Sequence, residues 1–379
     1  MNSSQPQDTK KILEEFISTY LVSLFTRYGR DNVDPCGYPP PEKFTPRGMV
    51  RDAVDTCLSR LGLIRRATAV KTQGELAHII PHVLAAERLY AELDADSRGI
   101  LLELLAYRVL GPKHVKLSLN DSCYRQMTQS LRLPGFNEAA STFRNSMSGD
   151  SLRLLDLNPL GRRIRCHGLP SGIQCEYLLR QYRCVRGAVR VEVSPGDVVI
   201  DGGACWGETA LNFADEAGEN GRVVSFEFIP DNVNVFRANL ELNPSLARRI
   251  RLVTSPLWDQ VGINMNFTVH GPASKVSLDD SRSNLFAATS ETIDHITSSL
   301  ELDRVDFIKL DVEGAELNAL KGAEATIRRH RPKLAICIYH DIQDFWRIPD
   351  WIRSLSLGYR FAIGHFTIYA GETVLFCSV

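Results

Sequence analysis

A glycine-rich turn follows a short apolar run in the middle of the sequence. Val198–Ile200 forms the apolar centre of a predicted strand, and it leads into Asp201, Gly202, Gly203 and then Gly207. Glycines let the backbone turn sharply and approach a ligand closely, because no Cβ intervenes. A helix that begins beyond the turn would offer free backbone N–H groups, which attract a carboxylate. These residues predict a loop that binds a small molecule.

Asp201 narrows the kind of ligand that this loop would bind. A carboxylate at the entrance of the loop would repel a pyrophosphate, so the loop fits a nicotinamide dinucleotide poorly. It suits a ligand that carries an ammonium group, as S-adenosylmethionine does. The alternative is an ordinary strand–turn–helix connection that binds nothing.

A second acid ends the next predicted strand. Val223–Phe226 is followed by Glu227, at the distance of about twenty residues from the glycine loop that is typical of a ribose-binding acid. A carboxylate there can accept hydrogen bonds from both ribose hydroxyls. Glu227 alone does not separate an adenosyl site from an NAD site, but together with Asp201 it favours the former. The alternative is a solvated acid at a strand end.

Two side chains that follow later strands are candidates for chemistry on a substrate. The predicted strand Val305–Leu310 leads into Asp311, and Lys333–Tyr339 leads into His340. We predict Asp311 and His340 as general bases. Lys309 is a third candidate, because it could orient an acceptor or lower its pKa, although a strand residue can also point into the helical layer. The alternatives are a helix N-cap for Asp311 and an exposed loop imidazole for His340.

Four of these residues follow four different predicted strands: Asp201, Glu227, Asp311 and His340. In an open α/β sheet, the ligand crevice lies outside the carboxyl ends of the strands. A parallel sheet would therefore bring the four side chains to one edge.

Strand and helix patterns alternate from about residue 150 onward, which predicts a mostly parallel sheet with helices on both faces. The further predicted elements are a hairpin around Asn158–Gly161, a strand at 250–254 and helices at 174–184, 207–217, 231–242, 290–299 and 315–329. The chain ends differently, because Tyr359–His365 and Thr373–Cys377 flank a short Ala370-Gly371 loop that indicates an antiparallel hairpin. We therefore predict a doubly wound, seven-stranded, mostly parallel sheet with a C-terminal hairpin, the plan of class I methyltransferases.

The first 150 residues follow a helical pattern. Apolar residues recur every four positions from Ile12 to Leu24, and the stretches 74–92 and 96–110 are amphipathic. We divide the chain into a helical N-terminal region, residues 1–150, and a second domain, residues 151–379. No chemistry is recognisable in the first region, so we expect it to cover a substrate or to join copies in a homo-oligomer.

Composition excludes several classes of protein. The 379 residues include 44 Lys and Arg and 45 Asp and Glu, for a net charge of −1, so we expect no nucleic-acid partner. The polar N-terminus lacks the apolar core of a signal peptide, and no apolar run is long enough to span a membrane. The nine cysteines contain no CxxC pair, which favours reduced thiols. We therefore expect a cytoplasmic protein.

Several stretches resemble one known family, in the same order along the chain. They are VIDGGACWGETA from Val199, FEFIPDNVNVFRANLELN from Phe226, DFIKLDVEGAELNALKGA from Asp306, KLAICIYHDIQDFW from Lys333 and ETVLF near the end. Over roughly residues 155–379 the sequence resembles the FkbM family of methyltransferases. The resemblance implies that the loop with Asp201, Gly203 and Gly207 binds the methionine part of S-adenosylmethionine, and that Glu227 binds its ribose. The family mostly modifies hydroxyl groups of polyketides, sugars and related metabolites.

The function expected from the sequence is methyl transfer from S-adenosylmethionine to a hydroxyl oxygen of a small molecule or glycan. We expect no metal, because Asp311 and Glu313 alone offer too few oxygen ligands. Two alternatives remain open. A nicotinamide-dependent oxidoreductase would share the sheet and the ribose acid, and a catalytically silent adenosyl-binding module would not need Asp311 or His340.

Overall fold

The chain groups into two compact units. A computed structural model describes residues 5–25, 32, 77–131, 136–145, 151–268, 276–277 and 285–379. One unit comprises residues 1–122 with 367–371, and the other comprises residues 123–366 with 372–379. The boundary predicted near residue 150 lies within the second unit. Across the described ranges, no helix combines the length and the apolar character needed to cross a membrane.

The first unit is helical, as predicted. Its helices are α1 (Gln5–Phe25), α2 (Glu87–Glu92) and α3 (Ala95–Leu110), and residues 77–85 are helical as well. Helix α1 packs on α2 and α3 and buries Ile12, Phe16 and Tyr20, whereas the side chain of Leu24 lies outside the described residues. The Asp94 carboxylate caps α3 by accepting a hydrogen bond from the Ser97 amide.

The second unit begins with short elements that precede the main sheet. They are α4 (Ser122–Ser130), β1 (Asn137–Arg144), β2 (Ser151–Asp156), β3 (Arg165–Gly168), α5 (Pro170–Ile173), a π-helix (Gln174–Leu178), β4 (Cys184–Arg186) and β5 (Val189–Val191). The antiparallel pair β2–β3 is the predicted hairpin. The helix predicted over 174–184 is wrong in its second half, because Arg180 adopts a left-handed φ of 56° and Cys184 already belongs to the β4–β5 hairpin.

The remaining strands include those that form the main sheet. They are β6 (Val198–Gly202), β7 (Arg222–Phe226), β8 (Ile250–Val253), β9 (Asn264–Thr268), β10 (Val276–Ser277), β11 (Leu285–Thr289), β12 (Phe307–Leu310), β13 (Lys333–Cys337), β14 (Arg360–His365) and β15 (Thr373–Ser378). Seven of them form one sheet in the order β14-β15-β13-β12-β6-β7-β8. Only β15 runs antiparallel to its neighbours, between β13 and β14. The predicted class I methyltransferase fold is confirmed.

The helices of this unit alternate with the strands. They are α6 (Glu208–Ala217), α7 (Pro230–Leu242), α8 (Pro244–Ala247), α9 (Ile293–Ser299), α10 (Glu316–Lys321), α11 (Glu324–His330) and α12 (Asp344–Ser354). The helix predicted over 315–329 is divided at Gly322, where a Cβ atom would lie 2.1 Å from the carbonyl oxygen of Trp258. This close approach of two backbones explains why position 322 holds glycine.

Burial explains why the central strands form. Every residue of β6 and β12 is buried, as expected for parallel strands that are covered on both faces. Their register pairs Lys309 with Asp201 and Leu310 with Gly202, so the two strands end level with each other. The carboxyl ends of β6 and β12 therefore meet at the centre of one edge.

Candidate active site

The glycine loop after β6 is packed against the end of β12. Gly203 has a φ of 77°, and a Cβ atom there would lie 1.8 Å from the carbonyl oxygen of Asp311. The Asp311 amide donates a hydrogen bond to the carbonyl of Gly202, and the amides of Gly203 and Ala204 donate to the carbonyl of Phe226. Position 203 therefore requires glycine, because both the dihedral angle and the space exclude a side chain.

Asp201 is fully buried and has partners within the protein. Its Oδ2 atom accepts hydrogen bonds from the hydroxyls of Thr209 and Ser225, at 2.9 and 3.2 Å. Its Oδ1 atom lies 3.2 Å from the ammonium nitrogen of Lys309. The ammonium group that faces Asp201 in this structure is thus that of Lys309.

Lys309 holds the glycine loop through hydrogen bonds to its carbonyl oxygens. Its Nζ atom donates to the carbonyls of Gly202 and Gly203, at 3.0 and 2.6 Å. Burial by itself would lower the pKa of Lys309, but Asp201 and Asp311 raise it above its ordinary value, so the side chain stays charged. With 1% of its side chain exposed, Lys309 has no surface to offer an acceptor.

Glu227 is a buried carboxylate at the end of β7. Its Oε1 atom accepts hydrogen bonds from the amides of Phe228 and Ile229, at 2.7 and 2.8 Å, and its Oε2 atom accepts one from Asn232 at 3.2 Å. Burial raises the pKa of Glu227 to about 7, although these three donors oppose the shift. A carboxylate offers about four lone-pair sites, so Glu227 retains capacity to accept from a ligand.

A cavity lies outside the carboxyl ends of four parallel strands, β6, β7, β8 and β12. The space within its walls, including the opening to solvent, is about 580 Å³. Its walls are formed by Gly203, Cys205, Phe226, Glu227, Phe228, Ile229, Asn232, Ser255, Pro256, Leu257, Asp311, Val312, Glu313 and Ala315. This is where an open α/β sheet binds its ligands.

Two residues of the cavity wall have a backbone conformation that side chains rarely adopt. Cys205 and Glu313 have φ angles of 46° and 56°. Such residues cost about 1–3 kcal/mol each and cluster at functional sites. Each follows one of the two central strands, so strain is concentrated where the glycine loop meets the end of β12.

A cluster of acids surrounds the imidazole of His340. The Nε2 atom lies 3.5 Å from Oδ1 of Asp311 and 3.5 Å from Oε2 of Glu313, while Nδ1 lies 2.9 Å from Oε1 of Glu316. Burial would lower the pKa of His340, but the neighbouring carboxylates raise it well above its ordinary value. Asp311, Glu313 and His340 each offer one potential metal-ligand atom, and these three atoms lie within 4.8 Å of one another.

Two tyrosines orient Asp311. The hydroxyl of Tyr182 donates to Oδ2 and that of Tyr339 donates to Oδ1, both at 3.1 Å. Burial and the nearby Asp311 charge raise the pKa of both phenols well above its usual value, so both stay protonated and can donate. The carboxylate is thus held from two sides.

The structure brings some of the predicted residues together and separates others. Gly203, Glu227 and Asp311 line the cavity, and His340 contacts Asp311. Asp201, Gly202, Gly207 and Lys309 are not among the residues that line the cavity. Sequence reasoning missed Tyr182, Ser255–Leu257, Asn232 and the Glu316–His340 contact. Of these, only Asn232 could have been suggested by the sequence, because it lies five residues after Glu227 and so stays near it in the fold.

One family model matches the part of the chain that forms this site. Residues 201–361 match the model described as the Methyltransferase FkbM domain. No curated protein matches the chain significantly.

Several solved structures are similar to this chain. One is a methyltransferase FkbM from Methylobacillus flagellatus KT, with 21% identity and a TM-score of 0.49, over 79% of this chain and 60% of that chain. The present chain thus spans about 60% of the length of that protein. Fibrillarin from Aeropyrum pernix, in complex with natively bound S-adenosyl-L-methionine, has 14% identity and a TM-score of 0.36, over 64% of this chain and 97% of that chain. A SAM-dependent methyltransferase from Aquifex aeolicus has 14% identity and a TM-score of 0.31, over 55% and 94%.

Proposed function

We propose that this protein transfers a methyl group from S-adenosylmethionine to a hydroxyl oxygen of a small molecule or glycan, in keeping with the match of residues 201–361 to the FkbM methyltransferase domain. The composition of the cavity wall carries the proposal. Glu227, Asp311 and Glu313 line the cavity, and the described lining residues include no Lys or Arg. A wall that carries carboxylates and no basic group favours a cationic cofactor over a pyrophosphate.

The residues present fit S-adenosylmethionine. Gly203 lines the cavity, so its backbone is within reach of a ligand, and Glu227 has lone pairs available for the ribose hydroxyls. Phe228, Ile229 and Leu257 give the cavity apolar walls that suit a purine ring.

The buried residues of the loop have a supporting role in this proposal. Asp201 and Lys309 form an ion pair beneath the loop, and Lys309 fixes the carbonyls of Gly202 and Gly203. Gly207 begins α6 with a φ of 89° and packs on the ring of Phe236. We propose that these residues position the loop and that Gly203 and Glu227 contact the cofactor.

The side chains at the end of β12 supply the chemistry. When bound, S-adenosylmethionine supplies a methyl group on a sulfonium sulfur, which the acceptor oxygen takes as the carbon–sulfur bond breaks and its electron pair stays on sulfur. Asp311 accepts the proton that the acceptor hydroxyl loses. Tyr182 and Tyr339 hold Asp311 in one orientation, and His340 balances its charge. Fixing the acceptor and this base in line provides much of the rate enhancement.

Calorimetry with candidate ligands tests the cofactor assignment. We expect the full chain to bind S-adenosylmethionine and S-adenosylhomocysteine but not NAD. Loss of a charged acceptor that faces a hydroxyl costs about 1.5–3 kcal/mol, so Glu227→Ala should weaken binding by roughly ten- to more than a hundredfold. Glu241→Ala, on the exposed surface of α7, is the matched control. Unchanged affinity in Glu227→Ala, or preferential binding of NAD, would reject the assignment.

The same titration has an expected pH dependence. Ribose hydroxyls donate to the ionised carboxylate, and the pKa of Glu227 is raised to about 7 in the free protein. Binding should therefore weaken as the pH falls through 7, by about tenfold between pH 8 and pH 6, and should release a proton below pH 7. Glu227→Gln should bind weakly at every pH and lose this dependence.

A further inference from the structure

The imidazole of His340 directs one nitrogen between two carboxylates. The side chain is only 5% exposed, and Nε2 lies 3.5 Å from both Asp311 and Glu313. Both distances exceed those of ordinary hydrogen bonds, and among the described residues neither ring nitrogen of His340 has a partner with ordinary hydrogen-bond geometry. A buried polar nitrogen without a partner is costly unless it serves a ligand.

The other ring nitrogen faces a carboxylate that fixes the position of its proton. Nδ1 lies 2.9 Å from Oε1 of Glu316, a fully buried residue whose carboxylate also accepts a hydrogen bond from the Val312 amide at 2.8 Å. The Glu316 carboxylate favours a proton on Nδ1, so a bound cation would take the place of the proton on Nε2. A carboxylate, a histidine and a metal ion are commonly arranged in this way in metalloproteins.

The local charge is unbalanced. Asp311, Glu313 and Glu316 surround one imidazole, and even a protonated His340 would offset only one of three negative charges. Lys309 is already paired with Asp201 and bonded to the glycine-loop carbonyls. The cluster is therefore set up to accept a further cation.

We propose that Asp311, Glu313 and His340 bind one divalent cation at the edge of the cavity. Ligands at about 2.1–2.2 Å from an ion and at right angles to each other are about 3 Å apart, so the two 3.5 Å separations from Nε2 require only a small contraction. All three candidate ligand atoms lie within 4.8 Å of one another. Two carboxylates and one imidazole suit an ion such as Mn²⁺, which accepts both oxygen and nitrogen ligands. Two tyrosine hydroxyls already orient Asp311, so one ligand is fixed in advance.

The role of this cation rests on the proposed methyl transfer. Asp311 and Glu313 line the cavity, so a cation bound to Glu313 and to Oδ1 of Asp311 would lie beside an acceptor hydroxyl and lower its pKa as a Lewis acid, while Oδ2 of Asp311 would remain to accept the proton. The sequence led us to expect no metal, because two acids from one segment are too few ligands. The third ligand comes from the end of the neighbouring strand β13.

Electron paramagnetic resonance of Mn²⁺ added to the full chain tests the site. We expect the wild-type protein to remove one equivalent of Mn²⁺ from the free-ion signal, and His340→Gln and Glu313→Gln to lose at least about a hundredfold in affinity. Glu316→Gln, which acts through His340, should lose about 10–100-fold. His295→Gln is the matched control, because His295 also pairs with a glutamate, at 2.8 Å, yet lies on the surface. It should bind Mn²⁺ as the wild type does.

Calorimetry with S-adenosylmethionine on the same samples separates the two proposals. Wild-type protein that binds the cofactor but leaves millimolar Mn²⁺ free would overturn the metal site and leave the proposed function intact. Wild-type protein that binds Mn²⁺ but not the cofactor would support the metal site and reject the proposed function. Mn²⁺ affinity that His340→Gln and Glu316→Gln leave unchanged would also overturn the site, because the ion would then bind elsewhere. Should His340→Gln fail to fold, Glu316→Gln decides.

Discussion

Two of the carboxylates that line the cavity, Glu227 and Asp311, are held in different ways. Glu227 accepts hydrogen bonds from backbone amides and an asparagine close to it in sequence, whereas Asp311 accepts from two tyrosines distant in sequence. Local donors fix Glu227 whenever the turn after β7 forms. The orientation of the Asp311 carboxylate depends on the assembled fold. Substitutions at the two positions can therefore distinguish an effect on cofactor binding from an effect on the chemical step.

Substitution of Asp311 should separate turnover from cofactor binding. Removal of a general base usually reduces the rate by about 10²–10⁴, so Asp311→Asn should lose turnover by such a factor on the true acceptor. His340→Gln should also reduce turnover, because it removes the charge beside Asp311. Affinity for S-adenosylmethionine should change little in either variant, since neither position is proposed to contact the ribose or the methionine part.

Asp303→Asn is the control for these measurements, because Asp303 is exposed just before the same strand. Single-turnover kinetics with labelled cofactor would give the rate of the chemical step directly. Wild-type rates in both Asp311→Asn and His340→Gln would show that these residues only cap a helix and fill space.

Residue types were easier to predict than the partners of those residues. The acids at strand ends could be identified because each follows an apolar run. The ion pair of Asp201 with Lys309 depends on the register of β6 and β12, which no local pattern specifies. The meeting of His340 with Glu313 and Glu316 likewise requires two neighbouring strands to end level.

At the scale of elements, the connection from β6 to α6 is the most constrained part of the fold. Gly203 combines a φ of 77° with a missing Cβ that would lie 1.8 Å from the Asp311 carbonyl. Left-handed backbone at a residue with a side chain costs about 1–2 kcal/mol, and overpacking adds roughly 1–3 kcal/mol. Gly203→Ala should therefore lower the free energy of unfolding by more than the backbone effect alone and should weaken cofactor binding.

Gly358→Ala distinguishes the two contributions. Gly358 has a φ of 83° but no atom within 4 Å of its missing Cβ, so only the backbone cost applies. Thermal unfolding and cofactor calorimetry on both variants give the comparison. Equal losses of stability, together with intact cofactor binding in Gly203→Ala, would contradict the close contact between the loop and β12.

Elements buried on both faces were the easiest to predict. The continuous apolar runs of β6 and β12 specify strands without any tertiary information. The antiparallel strands β9–β11 were missed, because that segment is polar and irregular and its strands pair with each other outside the main sheet. The end of the π-helix at Leu178 was also unpredictable, since the left-handed backbone of Arg180 has no sequence signature.

At the scale of the whole molecule, every proposed cofactor contact lies in one of the two units. The family match covers residues 201–361, and the cavity residues all fall within that range. The helical first unit has no part in the proposed contacts. Its expected role as a substrate cover or a homo-oligomer contact stays a prediction.

Packing shows where the second unit begins. Strand β1 pairs with β2, and Leu131 belongs to the hydrophobic core of this unit. The buried hydroxyl of Thr128 donates a hydrogen bond to the side chain of Gln174 at 2.9 Å. Residues 123–145 therefore contribute to the stability of the second unit, although the sequence placed the boundary near residue 150.

Two truncated chains test the independence of the second unit. Residues 123–379 should fold and bind S-adenosylmethionine with wild-type affinity, because they retain every proposed contact. Residues 149–379 should also bind it but unfold at lower temperature, since burial of Leu131 alone contributes about 1.5–3 kcal/mol. Acceptor methylation should fail in both if the helical unit covers the substrate. Thermal unfolding and calorimetry on the two fragments and the full chain provide the comparison, and a folded 123–379 fragment that does not bind the cofactor would show that the helical unit helps to build the cavity.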